Sequence, residues 1–172
     1  NTGKYVRGAV TTYFKTVSSN FNLFRADLAS PLVCDSVYYH GVKLAAGNVN
    51  TVVDTLEITI PNIAAAGTLD SLTIFYKGVP RVTTDFGGIT GFVKTVHNST
   101  QNYIYTLSEP YSSATWWPCK TRIANDKADS VDIIISNPTG FRSAANGTRV
   151  YEITQGANII TYWKNRYALS NY

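Results

Sequence analysis

Apolar residues along this chain recur at a spacing of two, and that period decides what it can fold into. Leu56, Ile58 and Ile60 alternate with polar neighbours, and Leu69-Asp-Ser-Leu-Thr-Ile-Phe-Tyr76 repeats the pattern. Successive side chains of an extended strand point to opposite faces, so such alternation marks half-buried strands. Residues 8–14, Gly-Ala-Val-Thr-Thr-Tyr-Phe, carry the small, β-branched and aromatic side chains that suit a pleated surface. Further candidates lie at 21–28, 32–38, 42–44, 53–60, 103–107, 131–135, 149–153 and 159–163. Turn signals separate them, among them His40-Gly41, Asn137-Pro138 and Asn146-Gly147, and Pro61 is expected to stop the strand before it. No window sustains the helical period, and Ala64-Ala65-Ala66-Gly67 is too short to stand as a helix. The expected fold is all-β: a curved β-sandwich or saddle-like two-sheet domain of about ten or more strands, with residues 1–172 as a single domain.

Composition narrows the function classes. A chain of 172 residues is long enough to bury a core, hiding roughly 70% of its unfolded surface. The apolar fraction of 44% argues against disorder. The net charge is +4, but Lys4, Arg7, Lys15, Arg25, Lys43, Lys77, Arg81 and Lys94 are scattered. Lys120 and Arg122 are the densest pair in the middle of the chain. Nucleic-acid binding needs a basic stripe or an aromatic-basic platform, and neither is present. No apolar run approaches the ~20 residues of a membrane span. Cys34 and Cys119 are too few for a disulfide scaffold, and one bridge or two buried thiols both stay open. The chain opens at Asn1 on polar residues and stops at Tyr172 directly after a strand-like segment. That is the expectation for a domain cut from a longer protein, its leader removed.

Catalytic motifs are missing. Neither His40 nor His97 belongs to an H-E-x-x-H pair, which would set two imidazoles on one helical face around zinc. Both read as turn or loop residues, and no metal or catalytic residue is assigned. Asp85-Phe86-Gly87 spells the kinase trio without its partner motifs and reads as an apolar residue in a Gly-rich loop. No G-x-S-x-G elbow occurs. Asn98-Ser-Thr and Asn146-Gly-Thr fit the glycosylation triplet, which arises often by chance. The informative stretch is 105–119, Tyr-Thr-Leu-Ser-Glu-Pro-Tyr-Ser-Ser-Ala-Thr-Trp-Trp-Pro-Cys. By itself it reads as a core corner preceded by one surface acid, Glu109.

Here the residues resemble a known family. Glu109-Pro110, Trp116-Trp117-Pro118-Cys119, Asp126-Lys127-Ala128 and Ser143-Ala-Ala-Asn146-Gly147 follow one another at the separations found in the N-terminal β-domain of aminopeptidase N-type zinc metallopeptidases. The opening 8–14, Asp35-Ser-Val37, His40-Gly41 and the last strand from Trp163 onward fit as well, so the resemblance covers nearly the whole chain. Ser112-Ser113-Ala114 stands where the family often has Asp-Ala-Arg, and Lys120-Thr121-Arg122 where it has Phe-Asp-Glu, with one residue inserted before Lys127. The pattern is similar to a divergent bacterial branch. The resemblance implies a non-catalytic domain that packs on a C-terminal catalytic domain of the same polypeptide. It implies that Glu109 grips the α-amino group of a peptide substrate's N-terminus. It also implies that zinc, its ligands and the general base lie in that other domain, with no cofactor in this chain. Its implied location is secreted, periplasmic or cell-surface.

A rival reading is a stand-alone β-sandwich that binds a glycan or a cell-surface partner through exposed aromatics. The positions of Trp116, Trp117 and Trp163 separate the two. A solvent-facing platform favours the rival, and burial under the corner favours the peptidase domain.

Overall fold

The computed structural model describes residues 4–85, 87–109, 111–121 and 127–168. Thirteen strands form four antiparallel sheets, with two single-turn 3-10 helices among the described residues. Residues up to 121 belong to one compact unit and residues 127–168 to a second.

The core of the first unit lies between two sheets. One has the order β1 (Val6–Lys15), β7 (Leu69–Gly78), β3 (Val33–Tyr39), β4 (Val42–Lys43). The other has the order β2 (Phe21–Asp27), β6 (Thr55–Ala64), β5 (Val49–Val52). Alternate residues of both converge: Val37, Leu72, Ile74 and Tyr76 from the first, Phe24, Ala26, Leu56, Ile58 and Ile60 from the second. Each fully buried Leu or Ile contributes about 1.5–3 kcal/mol over its exposed state. Gly8 sits opposite Tyr76 on the neighbouring strand, and the tyrosine ring fills the space a side chain would occupy. A Cβ on Gly8 would lie 2.6 Å from Tyr76 Cε1, so only glycine lets the ring lie flat over β1.

The strand expectations at 8–14, 21–28, 32–38 and 69–76 correspond to β1, β2, β3 and β7. Two readings are corrected. Val53 does not begin a strand: Val53 and Asp54 both have positive φ, 42° and 63°, and form the two-residue turn between β5 and β6. Pro61 does not end β6, which runs on to Ala64. The ladder with β2 jumps from Leu23↔Thr59 to Phe21↔Ala64, so Pro61 sits in a bulge where no ladder donor is needed.

A third sheet of this unit has the order β10 (Gln101–Leu107), β9 (Gly88–His97), β8 (Val82–Asp85). The second unit is the sheet β11 (Val131–Pro138), β13 (Asn158–Asn165), β12 (Thr148–Gln155). Along β11 half-buried and exposed residues alternate, and Thr161 at the middle of β13 is fully buried. Asn137-Pro138, read as a turn, is the end of β11.

His40 and Gly41, with φ of 50° and 80°, make the tight turn between β3 and β4. The turn also anchors a buried carboxylate. Asp70 accepts hydrogen bonds from Tyr39 Oη at 2.7 Å and from the Ser71 N–H at 2.7 Å, and lies 2.6 Å from His40 Nε2. Burial alone would raise the Asp70 pKa, but the bonds from Tyr39 and His40 outweigh it and hold the carboxyl below its usual range. Burial and the same bond push Tyr39 up to about 12.

Asp70 therefore ionises more readily folded than unfolded. Its stabilisation is complete above the ordinary Asp value of about 3.9 and disappears as pH falls through the lower folded-state value. Asp70→Asn is expected to cost about 1–3 kcal/mol at neutral pH by leaving buried donors unpaired. Denaturant unfolding between neutral and strongly acid pH checks this: wild-type stability should fall more steeply on the acid side than that of the variant.

Candidate functional site

The segment 108–121 is fixed from both ends. Its first turn closes on itself, with the Ser112 N–H donating to the Ser108 carbonyl at 3.0 Å. A 3-10 turn over Ser113–Thr115 follows, and the Thr115 hydroxyl donates back to the Ser112 carbonyl at 2.6 Å. The Ser112 hydroxyl is buried in a triangle with two hydroxyls of the third sheet, 2.6 Å from Thr83 Oγ1 and 2.8 Å from Thr90 Oγ1. Thr83 and Thr90 are themselves 2.7 Å apart. Gly91 lets this contact form: at φ 90°, a Cβ there would meet Thr115 Oγ1 at 2.7 Å and the Arg81 carbonyl at 2.9 Å.

The far end is tied to the central sandwich. Asp27 and Cys119 exchange backbone hydrogen bonds at 2.6 and 3.0 Å, and the Ala29 N–H donates to the Ala114 carbonyl at 2.8 Å. The Asp27 carboxylate accepts from Thr55 Oγ1 at 3.0 Å, Thr121 Oγ1 at 2.7 Å and the Thr121 N–H at 3.2 Å. Thr121 is one of the positions at which the chain departs from the family pattern, and hydrogen bonding to Asp27 is its role here. Arg122, Asp126, Pro110 and Phe86, all within motifs singled out above, lie outside the described residues, as do residues 169–172.

Glu109 stands in the turn between β10 and this anchored segment, half-buried. Among the described residues it makes no hydrogen bond or ion pair. The bond from the Ser112 N–H to the Ser108 carbonyl closes the turn around it. Beside the segment lies a cleft of about 450 Å³ lined by Asp27, Asp54, Arg81, Tyr111, Thr115 and Thr121. One ion pair closes within it, and among the described residues Asp27 is held by hydrogen bonds alone. Arg81 donates to Asp54 Oδ2 at 3.0 Å, and Asp54 Oδ1 accepts from the Ser30 N–H at 2.8 Å.

The tryptophans do not form a platform. Trp116 packs on Phe92 and Trp117 with ring centroids 6.5 and 5.6 Å apart, and its Nε1 donates to Ser108 Oγ at 3.2 Å. Trp117 packs against the sandwich core. Trp163, in the second unit, is half-buried on β13. Cys34 and Cys119 are free thiols, settling the question the sequence left open. Burial and the neighbouring Asp27 charge push Cys119 far up, and burial with Asp35 raises Cys34 more modestly. Thiolate chemistry is thereby suppressed.

The described residues do not fit a zinc ion: no group of three His, Cys, Asp or Glu side chains comes together among them. His40 is occupied by Asp70 in the first sheet, and His97 is exposed at the tip of the β9–β10 hairpin.

By sequence, no family model and no curated protein matches the chain. By structure it does match solved proteins. An M1 zinc metallopeptidase from Deinococcus radiodurans superposes with a TM-score of 0.81 at 17% identity, over 99% of this chain and 37% of that one. The chain has the fold of one part of an M1 zinc metallopeptidase. A two-domain M1 zinc metallopeptidase mutant bound to L-arginine matches with the same TM-score at 18% identity, and a Deinococcus radiodurans mutant bound to a Tyr-Ser-Ala substrate at 17%. Each match spans nearly all of this chain but 37% of the M1 protein's length.

Gly91→Ala is expected to destabilise the first unit by about 1–3 kcal/mol, through strain at positive φ and the clash with Thr115. Local loosening should appear as faster amide hydrogen exchange at 112–117 than in β6 or β7. Unchanged exchange there would show that the 3-10 turn does not depend on Gly91.

Proposed function

We propose that this chain is the N-terminal, non-catalytic β-domain of a zinc aminopeptidase-like metallopeptidase. In this reading it packs on a catalytic domain of the same polypeptide, and Glu109 receives the substrate's α-amino group. The observation that carries the reading is the M1 fold match across 99% of this chain and 37% of the matched protein, which leaves room for a separate catalytic part. Two further points support it. The ligands named for the M1 neighbours, L-arginine, L-tryptophan and Tyr-Ser-Ala, all carry a free α-amino group. The segment that follows Glu109 is braced by the hydroxyl triangle at Ser112 and, further along, by the Asp27–Cys119 bridge.

The physics suits the role. A substrate ammonium needs charge-assisted acceptors, and a carboxylate on a fixed backbone supplies one with little ordering cost on binding. A substrate held by its N-terminus at a set distance from a metal is cut at its first peptide bond. The glycan-binding alternative has the weaker support, because none of the three tryptophans is exposed.

The 172-residue chain alone is expected to fold, to hydrolyse no peptide and to hold no stoichiometric zinc. One tightly held zinc per chain by metal analysis would refute the reading. In the full-length parent, Glu109→Ala should weaken transition-state and substrate binding by about 2–5 kcal/mol when the ion pair is desolvated. Steady-state kinetics on free-amine and N-acetylated peptides check this: the variant should lose its preference for the free amine. An unchanged KM for free-amine substrates would remove Glu109 from the site.

A further inference from the structure

We propose that the free edge of β10 pairs antiparallel with β10 of a second copy, about a two-fold axis through Ile104. The proposal does not depend on the peptidase reading. Among the described residues β10 pairs with β9 on one side only, and all seven of its residues are exposed. Tyr103, Ile104, Tyr105 and Leu107 are the apolar members, each more than a third exposed. An unpaired, flat, apolar edge is a template for strand addition, and proteins ordinarily blunt such edges with charge, proline or shortness.

The other sheet edges here are blunted in those ways. β4 has two residues, and β5 and β8 have four each. β1 carries Arg7 and Lys15, and β2 carries Arg25 and Asp27. β11 carries Asp132 and Pro138, and β12 carries Arg149 and Glu152. Among the described residues, β10, Gln-Asn-Tyr-Ile-Tyr-Thr-Leu, is the one edge strand longer than four residues with neither charge nor proline.

Its own sequence says what fits it. The strand is close to a mirror image about Ile104. A two-fold axis there sets Ile104 against Ile104 of the second copy, Tyr103 against Tyr105, and Asn102 against Thr106. The inner pairs match in kind, the outermost sets Gln101 against Leu107, and none carries charge, which an isologous contact tolerates. Tyr103 and Tyr105 already stack along the strand with centroids 5.9 Å apart, so the pairing would give a four-tyrosine row on one face. The Ile104 pair would sit on the other. The two three-stranded sheets would join into one of six strands. One seven-residue strand pair is smaller than a standard stable interface, so the dimer is weak and depends on concentration.

Sedimentation equilibrium over a hundredfold concentration range tests it. Wild-type chain should pass from monomer to dimer within that range. Ile104→Lys and Ile104→Glu, each confirmed folded by circular dichroism, should dimerise at least tenfold more weakly, because like charges then face each other. Mixing the two variants should restore the dimer. Should either variant fail to fold, oxidation of Ile104→Cys decides: it should yield a disulfide-linked dimer, while wild type and Gln101→Cys should not. A wild-type monomer throughout, a dimer indifferent to Ile104→Lys, a mixture that stays monomeric, or an Ile104→Cys chain that does not cross-link would each overturn the proposal.

Discussion

The larger unit rests on two sheets closing over one set of side chains. Ile58, Ile60 and Leu56 from β6 meet Ile74, Leu72 and Val37 from β7 and β3. Because the side-chain period is two, this contact fixes register as well as stability. A slip of one residue in β6 or β7 would turn these residues outward and their polar neighbours inward. Everything that reaches the surface from these strands inherits that register. The Asp54 turn at the start of β6 braces Arg81 and the loop after β2, and Asp27 at the end of β2 holds Cys119 and Thr121.

Through that inheritance the segment that follows Glu109 is tied to the central sandwich, by Asp27 at Cys119 and Thr121. Glu109 has no stabilising partner among the described residues, yet it stands one residue after a serine that receives the Trp116 indole and three before the buried hydroxyl of Ser112. The side chain bears no structural duty while the backbone around it bears several. Substitution of this side chain is therefore expected to cost the fold little.

The sequence made the central strands legible and obscured the short ones, for physical reasons. β6 and β7 bury one face, so Leu56, Ile58, Ile60, Leu72 and Ile74 announce them. β5 and β8 are four residues each and largely exposed, so alternation has no room to appear. β9 was hidden by Gly88, Gly91 and Lys94, though Gly91 is there because the Thr115 turn packs on it. The positive φ of Val53 runs against the habit of β-branched residues, and nothing in the chain signals it. At the site, the Trp-Trp-Pro-Cys corner and Glu109 were readable locally. The triangle of Thr83, Thr90 and Ser112 was not, since three hydroxyls of unremarkable sequence meet only once a strand pairing and a distant loop are both in place.

The bridge between Asp27 and Cys119 joins strands that are far apart along the chain, whereas the β9–β10 hairpin closes over a few residues. Local hairpins form in microseconds, while such remote closures wait for the body of the molecule. The hairpin leading to Glu109 is thus a local element, while the tie beyond it is a remote one. Opening the sandwich would part Asp27 from Cys119 while leaving the hairpin's own ladder in place.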